Sequence, residues 1–387
     1  MTEDVPPRLT LRQRWHRLRT SPRFPFVLFL GLFALGGLWQ AYSYWWGVRI
    51  HNMAARHGGS AQTRKVYPHW LTDRIGWRNL QPLEPINNLR LQSPSPILAS
   101  DIALLEGLWE LNQFSCWGPI EPNGWRHLSR LRGLKYLSMS GSHWCVHEAD
   151  FEQIARLPKL ERMNLNEVAI ESRGLRHLAR HPALLQLVLQ TVPESSGSID
   201  ATPIELEKSP PQVLGAFDVA SLREFAAQPT LVELELLNSP GFGDAHLLAL
   251  TSILPDGTKP LPSLKNLTLH KASLTRDGLR HLANLRSLEC LELDFTGLGD
   301  GGLRFLKYNP TIQQLDVHGT RIGDSDVETM LTMPALATVH VNRTRITERG
   351  LKQLATHPHL KCLYVGGDVS MTTVAELRAR VHCVVGY

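Results

Sequence analysis

The amino-acid sequence predicts an α/β solenoid, and three observations support that prediction. A leucine-spaced pattern returns every 24 residues towards the C-terminal end, an alternating apolar stretch opens each unit, and a stretch with helical spacing follows it. Repeats of this length stack into elongated arrays in which each unit contacts its neighbours. Five such units begin at Leu264, Leu288, Ile312, Leu336 and Leu360.

Each unit combines a strand pattern with a helix pattern. Leu291 and Leu293 alternate as in a strand, and Leu303 and Leu306 have helical spacing. Neither stretch can bury its apolar side alone, so stacking is expected to place a parallel sheet on the concave face, helices on the convex face and leucines between them. Thr and Asp side chains before the helices are expected to be N-caps and not calcium ligands. They are Asp244, Thr275, Asp300, Asp324 and Thr347.

The same register extends upstream, for 11 units in total. The further starts are Ile86, Leu108, Leu134, Leu160, Leu184 and Leu231. Two longer intervals are expected to hold insertions, near 191–216 and near 252–262. The first is rich in Pro and Ser and net acidic, which predicts an exposed loop.

A polar residue follows the strand in the C-terminal units, at Thr296, Thr320 and Thr344. With this residue and the following Gly-Leu-x-x-Leu run, the chain resembles the leucine-rich-repeat family in its ribonuclease-inhibitor-like and F-box-associated form. YPHWLTDRIG is similar to the N-terminal capping helix of bacterial members, and LRARVHCVVGY to their closing helix and strand. The resemblance spans roughly 67–387 and implies a right-handed solenoid that binds a partner. It carries over no catalytic residue.

The N-terminal segment predicts one transmembrane helix. Between Arg23 and Arg49 lie 25 residues without a charge, and as a helix they would extend about 37 Å against about 30 Å of hydrocarbon. Six arginines precede the segment against Glu3 and Asp4, which predicts a cytoplasmic N-terminus and an extracytoplasmic repeat domain. A cleaved signal peptide is the alternative. The expected division is a basic tail over 1–23, the helix over 24–48, a juxtamembrane linker over 49–66 and the repeat domain over 67–387.

Charge and motifs exclude several classes of function. The net charge is +5, of which the six arginines and two acidic residues of the tail contribute +4, leaving +1 for the remainder. A near-neutral repeat domain lacks the basic footprint of nucleic-acid binding. The sequence contains no G-x-S-x-G, H-E-x-x-H or phosphate-loop motif. We therefore expect a non-catalytic protein without a cofactor or small-molecule substrate, whose partner is a protein or peptide.

Five cysteines leave room for few disulfides. Cys290 and Cys362 are three units apart, and three strand spacings amount to about 14 Å, which is too far for a bond. Cys116 and Cys145 are expected in loops of adjacent units, where they could be bonded in an oxidising compartment. Two alternatives stay open: both thiols are free, or His143, Cys145 and His147 hold a metal with Cys116 nearby.

The candidate binding residues lie in two lanes on the concave face, because positions 24 residues apart become neighbours on adjacent strands. The first lane is Thr268, Glu292, Asp316, His340 and Tyr364, and the second is His270, Asp294, His318 and Asn342. Three interpretations stay open: a solvated polar sheet, a protein-recognition patch, and a metal site at His318, His340, Asp294 and Asp316.

Tryptophans gather in the first repeats, at Trp109, Trp117, Trp125 and Trp144. They are expected either to pack the wider units or to face a partner or a membrane surface. Trp125 occupies a helical leucine position and is predicted to lie in the core. The leading hypothesis is a membrane-anchored protein that recognises a protein or peptide through its concave sheet. The alternatives are an enzyme using the Asp and His lanes and an architectural spacer.

Overall fold

The computed structural model describes residues 24–64, 84–141, 144–190, 217–367 and 369–386. Within these ranges a sheet of 13 strands follows the order of the chain, and a short pair, β5 with β7, lies beside it. The strands are β1 Ser60–Thr63, β2 Ile86–Gln92, β3 Gln113–Trp117, β4 Tyr136–Ser140, β5 Cys145–Val146, β6 Arg162–Asn166, β7 Ala169–Ile170, β8 Gln186–Gln190, β9 Glu233–Leu237, β10 Asn266–Leu269, β11 Cys290–Glu292, β12 Gln314–Asp316, β13 Thr338–His340, β14 Cys362–Val365 and β15 Cys383–Gly386.

Helices connect successive strands on the other side of the core. The α-helices are α1 Phe24–Arg56, α2 Ala99–Ala103, α3 Pro122–Leu128, α4 Glu148–Ile154, α5 Val219–Phe225, α6 Asp244–Thr251, α7 Asp324–Leu331, α8 Glu348–Leu354 and α9 Met371–Arg378. A 3-10 helix continues α2 at Leu104–Gly107, and three further units have a 3-10 helix in place of the α-helix, at Ser172–Leu178, Gly278–Asn284 and Arg304–Leu306.

The strand register confirms the predicted solenoid. Leu267, Leu291, Leu315, Val339 and Leu363 stand side by side on five consecutive parallel strands. All five are fully buried. The 24-residue period aligns them because each unit must cover the apolar side of the one before it. Trp125 is also in the core, at 2% exposure, as predicted.

The predicted helix caps are only partly correct. Thr347 caps α8 by accepting a hydrogen bond from the amide of Gly350. Asp244 and Asp324 instead begin their own helices and accept hydrogen bonds from the next unit: the amide of Thr275 lies 2.9 Å from Asp244, and that of Thr347 lies 2.8 Å from Asp324. These carboxylates therefore link neighbouring units, which spacing within one unit does not reveal.

The N-terminal end of the solenoid differs from the predicted linker over 49–66. Helix α1 continues to Arg56, and Ile50, Met53 and Ala54 on one of its faces are buried. Strand β1 then pairs antiparallel with β2. The helix closes the exposed end of the core because these three residues have helical spacing and no charge. The capping helix expected at 67–76 lies outside the described residues, as do the tail over 1–23 and the insertion near 191–216.

Among the described residues, no helix combines the length and apolar character that crossing a bilayer requires. The transmembrane helix predicted over 24–48 is therefore not confirmed. The side chains at 24–28 and at 31 lie outside the described part of that segment.

Candidate functional site

The first predicted lane is in register on the face of the sheet that points away from the leucine core, hereafter the sheet face. Strand pairing places Glu292 beside Asp316, Asp316 beside His340, and His340 beside Tyr364. At the other end, the Thr268 hydroxyl donates a hydrogen bond to the Glu292 carboxylate at 3.0 Å. The role of these residues in binding stays a prediction.

The second predicted lane lies beyond the ends of the strands. His270 and Asp294 are hydrogen-bonded across adjacent units, and His318 follows in the next unit. Asn342 does not join them on the surface, because it is only 8% exposed. Strand β13 ends at His340, so strand alternation no longer sets the direction of the side chain at 342. Asn342 therefore offers little exposed surface, and its role in binding stays a prediction.

Phe295 is a surface residue that the lane argument missed. Its ring stands edge-on between two imidazoles, with centroids 5.5 Å from His270 and 4.8 Å from His318. It is 40% exposed. A Cβ on Gly319 would lie 2.6 Å from its ring, so the glycine leaves the space that the ring occupies.

The backbone explains why Phe295 points outward. Its φ is +55°, a left-handed conformation that a bulky residue seldom adopts. The same position of neighbouring units also has positive φ, at Asn238, Lys271, Gly319 and Arg343. A phenylalanine among mostly polar residues and glycine at this repeat position was the available sequence signal.

Asp316 contacts two histidines of the site, the ring of His340 and the backbone of His318. One carboxylate oxygen lies 3.1 Å from Nδ1 of His340, and the other accepts a hydrogen bond from the amide of His318 at 2.8 Å. The His340 ring in turn lies over Tyr364, with centroids 3.9 Å apart and planes tilted by 33°. Together these five rings form the aromatic ridge, which consists of His270, Phe295, His318, His340 and Tyr364.

A group of carboxylates adjoins the ridge on the sheet face. Glu233 and Glu235 lie on β9, and Glu292 lies two strands away. Burial raises the pKa of Glu235 to about 7, with further contributions from Glu233 and Glu292. Burial likewise raises the pKa of Glu292. A cation brought to this surface would relieve the repulsion between these carboxylates.

The surface has room for a ligand beside the ridge. A shallow cavity of about 400 Å³ includes His270 at its wall. Its lining is Glu167, Gln190, Leu237, Asn238, His270 and Lys271. Among the described residues, no group of three or more His, Cys, Asp or Glu side chains is arranged to hold a metal ion. The metal site considered at Asp294, Asp316, His318 and His340 therefore gains no support.

Cys116 and Cys145 are free thiols in the structure, and the placement expected for Cys116 is wrong. It lies within β3 and not in a loop, with its side chain in the core at 2% exposure. Cys145 lies in the separate β5–β7 pair. Burial raises the pKa of both thiols to about 12. His143, one of the two histidines of the metal alternative, lies outside the described residues.

No protein-family model matches this chain, and no curated protein sequence matches it. Solved structures with a similar course of chain include an internalin of Listeria monocytogenes, with 13% identity, coverage of 77% of this chain and 86% of that chain, and a TM-score of 0.40. Internalin C2 of the same organism has 20% identity, coverage of 62% and 84%, and a TM-score of 0.38. TLR13 in complex with ssRNA13 has 15% identity, coverage of 76% of this chain and 42% of that chain, and a TM-score of 0.48.

Proposed function

We propose that this protein is a membrane-anchored recognition protein, without catalytic activity, that binds a segment of another protein through its sheet face. The observation that carries the proposal is the aromatic ridge held in place by Asp294 and Asp316. Its rings belong to five consecutive units. A rigid row of aromatic side chains gives large contact area at little cost in side-chain entropy.

The chemistry of the site also indicates the kind of segment that it binds. Phe295 and Tyr364 offer apolar faces, and the neighbouring carboxylates Glu235, Glu292 and Asp316 attract positive charge. Cations are further stabilised over aromatic rings. The bound segment is therefore one in which lysine or arginine alternates with apolar residues.

Two observations support membrane anchoring. The segment between Arg23 and Arg49 carries no charge. Large apolar side chains along α1 are exposed, which in water would be unfavourable; they include Phe29, Leu30, Leu32, Phe33, Leu35, Leu38, Trp39, Tyr42 and Trp45. The arginines before the segment favour a cytoplasmic N-terminus, with the repeat domain on the other side.

Peptide selection tests the recognition proposal. A library of random displayed peptides is selected on the full-length protein in detergent, and the dissociation constant of the enriched peptides is then measured. We expect enrichment of Lys and Arg next to apolar residues. The double variant Asp316→Lys with His340→Glu should weaken binding by at least about ten-fold, because it replaces the Asp316 carboxylate with a cation and removes the His340 ring from the ridge.

The matched control is Arg304→Glu with Lys307→Glu, two exposed charges on the helix side. It also replaces two residues and should leave peptide binding unaltered. Equal binding by the Asp316→Lys, His340→Glu variant, or peptides without basic residues, would contradict the proposal.

Anchoring needs a separate test. The full-length protein should stay with the membrane fraction after alkaline carbonate extraction, and protease added outside intact cells or spheroplasts should degrade the repeat domain. Release by carbonate would contradict the anchor and would leave peptide recognition unaffected.

A further inference from the structure

An arginine-rich patch lies on one edge of the first repeats, apart from the sheet face. A shallow cavity of about 630 Å³ is lined there by Arg126, Arg130, Arg132 and Arg156, together with Ser129 and Pro158. All four arginines are exposed. They come from the ends of two successive helices and the turns that follow them, so the fold collects them from separate units.

The patch retains positive charge after its internal ion pairs are considered. Arg130 pairs with Glu106 at 2.8 Å, and Arg156 pairs with Glu152 at 2.7 Å. Arg126 and Arg132 form no ion pair with any residue in the described ranges. Four guanidinium groups thus face two carboxylates, and an arginine fork suits the oxygens of a phosphate group.

An exposed tryptophan adjoins the arginines. Trp109 is 79% exposed, the highest value among the exposed tryptophans of the described chain. A Cβ on Gly133 would lie 2.6 Å from the Trp109 carbonyl oxygen, so the turn that carries Arg132 packs directly on the turn that carries Trp109. The indole of tryptophan combines an apolar ring with a polar N–H group, so tryptophan favours the interface between lipid and water.

Helix α1 leaves the solenoid at this same edge. The C-terminal end of α1 lies at the opposite edge, where Nε2 of His57 is 2.8 Å from the Asp101 carboxylate near the start of α2. Trp46, eleven residues before His57, lies beside Gly107. A Cβ added to Gly107 would be 3.5 Å from the indole Nε1 of Trp46. Gly107 ends the 3-10 turn just before Trp109. Helix α1 therefore runs antiparallel to the first helical segment, and its exposed apolar part continues past the edge that carries Trp109 and the arginines.

We propose that this edge rests on the membrane that holds α1, with the arginine patch binding the phosphate groups of anionic phospholipids and Trp109 entering the interface. The inference rests on the proposed anchoring. A phospholipid is the ligand to which the observations point, because the apolar helix and the basic patch face the same side of the molecule. Since Trp46, Ile50 and Met53 pack against the first repeats, the helix holds the solenoid at a fixed height above the lipid.

Hydrogen exchange of the full-length protein in nanodiscs tests the inference. One set of discs contains phosphatidylcholine alone, and the other also contains phosphatidylglycerol. Backbone amides of 107–110 and 129–133 should exchange about five-fold more slowly in the anionic discs, the factor expected for one arginine near an anionic surface. The variant Arg126→Glu with Arg132→Glu should lose that difference. The control, Arg321→Glu with Arg345→Glu at the opposite edge, should keep it.

The outcomes separate this inference from the anchor. A protein that inserts into both kinds of disc but exchanges equally in them overturns the lipid contact and leaves the anchor intact. A protein that inserts into neither disc overturns the anchor and the lipid contact together. Protection that soluble inorganic phosphate reproduces in neutral discs would show that a free anion is the ligand and would also overturn the proposal.

Discussion

The carboxylate of Asp326 accepts a hydrogen bond from the backbone amide of Leu303, in the preceding unit, at 2.8 Å. Asp326 is fully buried and also accepts from the amides of Gly301 and Gly323, at 2.8 and 3.2 Å. Burial raises the pKa of this carboxyl group, and the amide hydrogen bonds act in the opposite direction. One side chain thus satisfies amides of two units and connects them.

Replacing Asp326 should destabilise the solenoid strongly. Asp326→Ala leaves three amides without this partner, those of Leu303 and Gly323 in buried residues and that of Gly301 in a half-buried one, and we expect the free energy of unfolding to fall by about 3 kcal/mol. Thermal unfolding of the full-length protein in detergent measures the change. Glu328→Ala, an exposed position on the same helix, is the control and should shift stability by less than about 0.5 kcal/mol. Equal shifts for the two variants would show that the inter-unit bonds contribute little.

Removing the Phe295 ring should weaken peptide binding more than it weakens folding. Phe295→Ala deletes an exposed apolar ring of the aromatic ridge, and a loss of about 2 kcal/mol, or about 30-fold in the dissociation constant, is expected for such an anchor. The measurement uses the peptides selected on the wild-type protein. Tyr308→Ala removes an aromatic residue that is 69% exposed outside the ridge and should have no effect. A similar loss for both would place the binding surface elsewhere.

Glu235 makes stability depend on pH near neutrality. Its pKa is about 7 in the folded protein, against about 4.3 in an unfolded chain. Between these values the folded protein holds a proton that the unfolded chain releases, so the free energy of unfolding decreases as pH rises through this window. Glu235→Gln should therefore stabilise the protein at pH 8 by about 1 kcal/mol, allowing for solvent screening of a half-buried group, and change little below about pH 4.

Urea unfolding at both pH values measures this effect. Glu224→Gln, which replaces an exposed carboxylate on α5, is the control and should give the same small change at each pH. If Glu235→Gln behaves like that control, burial and the neighbouring carboxylates do not destabilise the ionised Glu235.

Cys116 and Cys145 should resist alkylation in the folded protein. Burial raises the pKa of both to about 12, so little thiolate is available to attack iodoacetamide at pH 8. Mass spectrometry after labelling should show both unmodified in buffer and both modified in urea. A disulfide between them would instead leave both unlabelled in urea until a reductant is added.

The sequence alone determined the repeat period, the parallel register of Leu267, Leu291 and Leu315, and the first lane from Thr268 to Tyr364. Burial of evenly spaced leucines permits one alignment of successive units, so position in the repeat fixes position on the sheet. Alternation along a strand then fixes which side chains face outward, and this was sufficient for Glu292, Asp316 and His340.

Only the tertiary structure decided what lies beyond the strands. The outward turn of Phe295, the burial of Asn342 and the bonds from Asp326 to the preceding unit depend on backbone direction in turns, where no periodic rule applies. The placement of Trp46 and Met53 against the first repeats depends on which way α1 approaches the end of the core. Contacts of this kind join residues whose separation in the chain follows no repeat, and the path of the chain in space decides them.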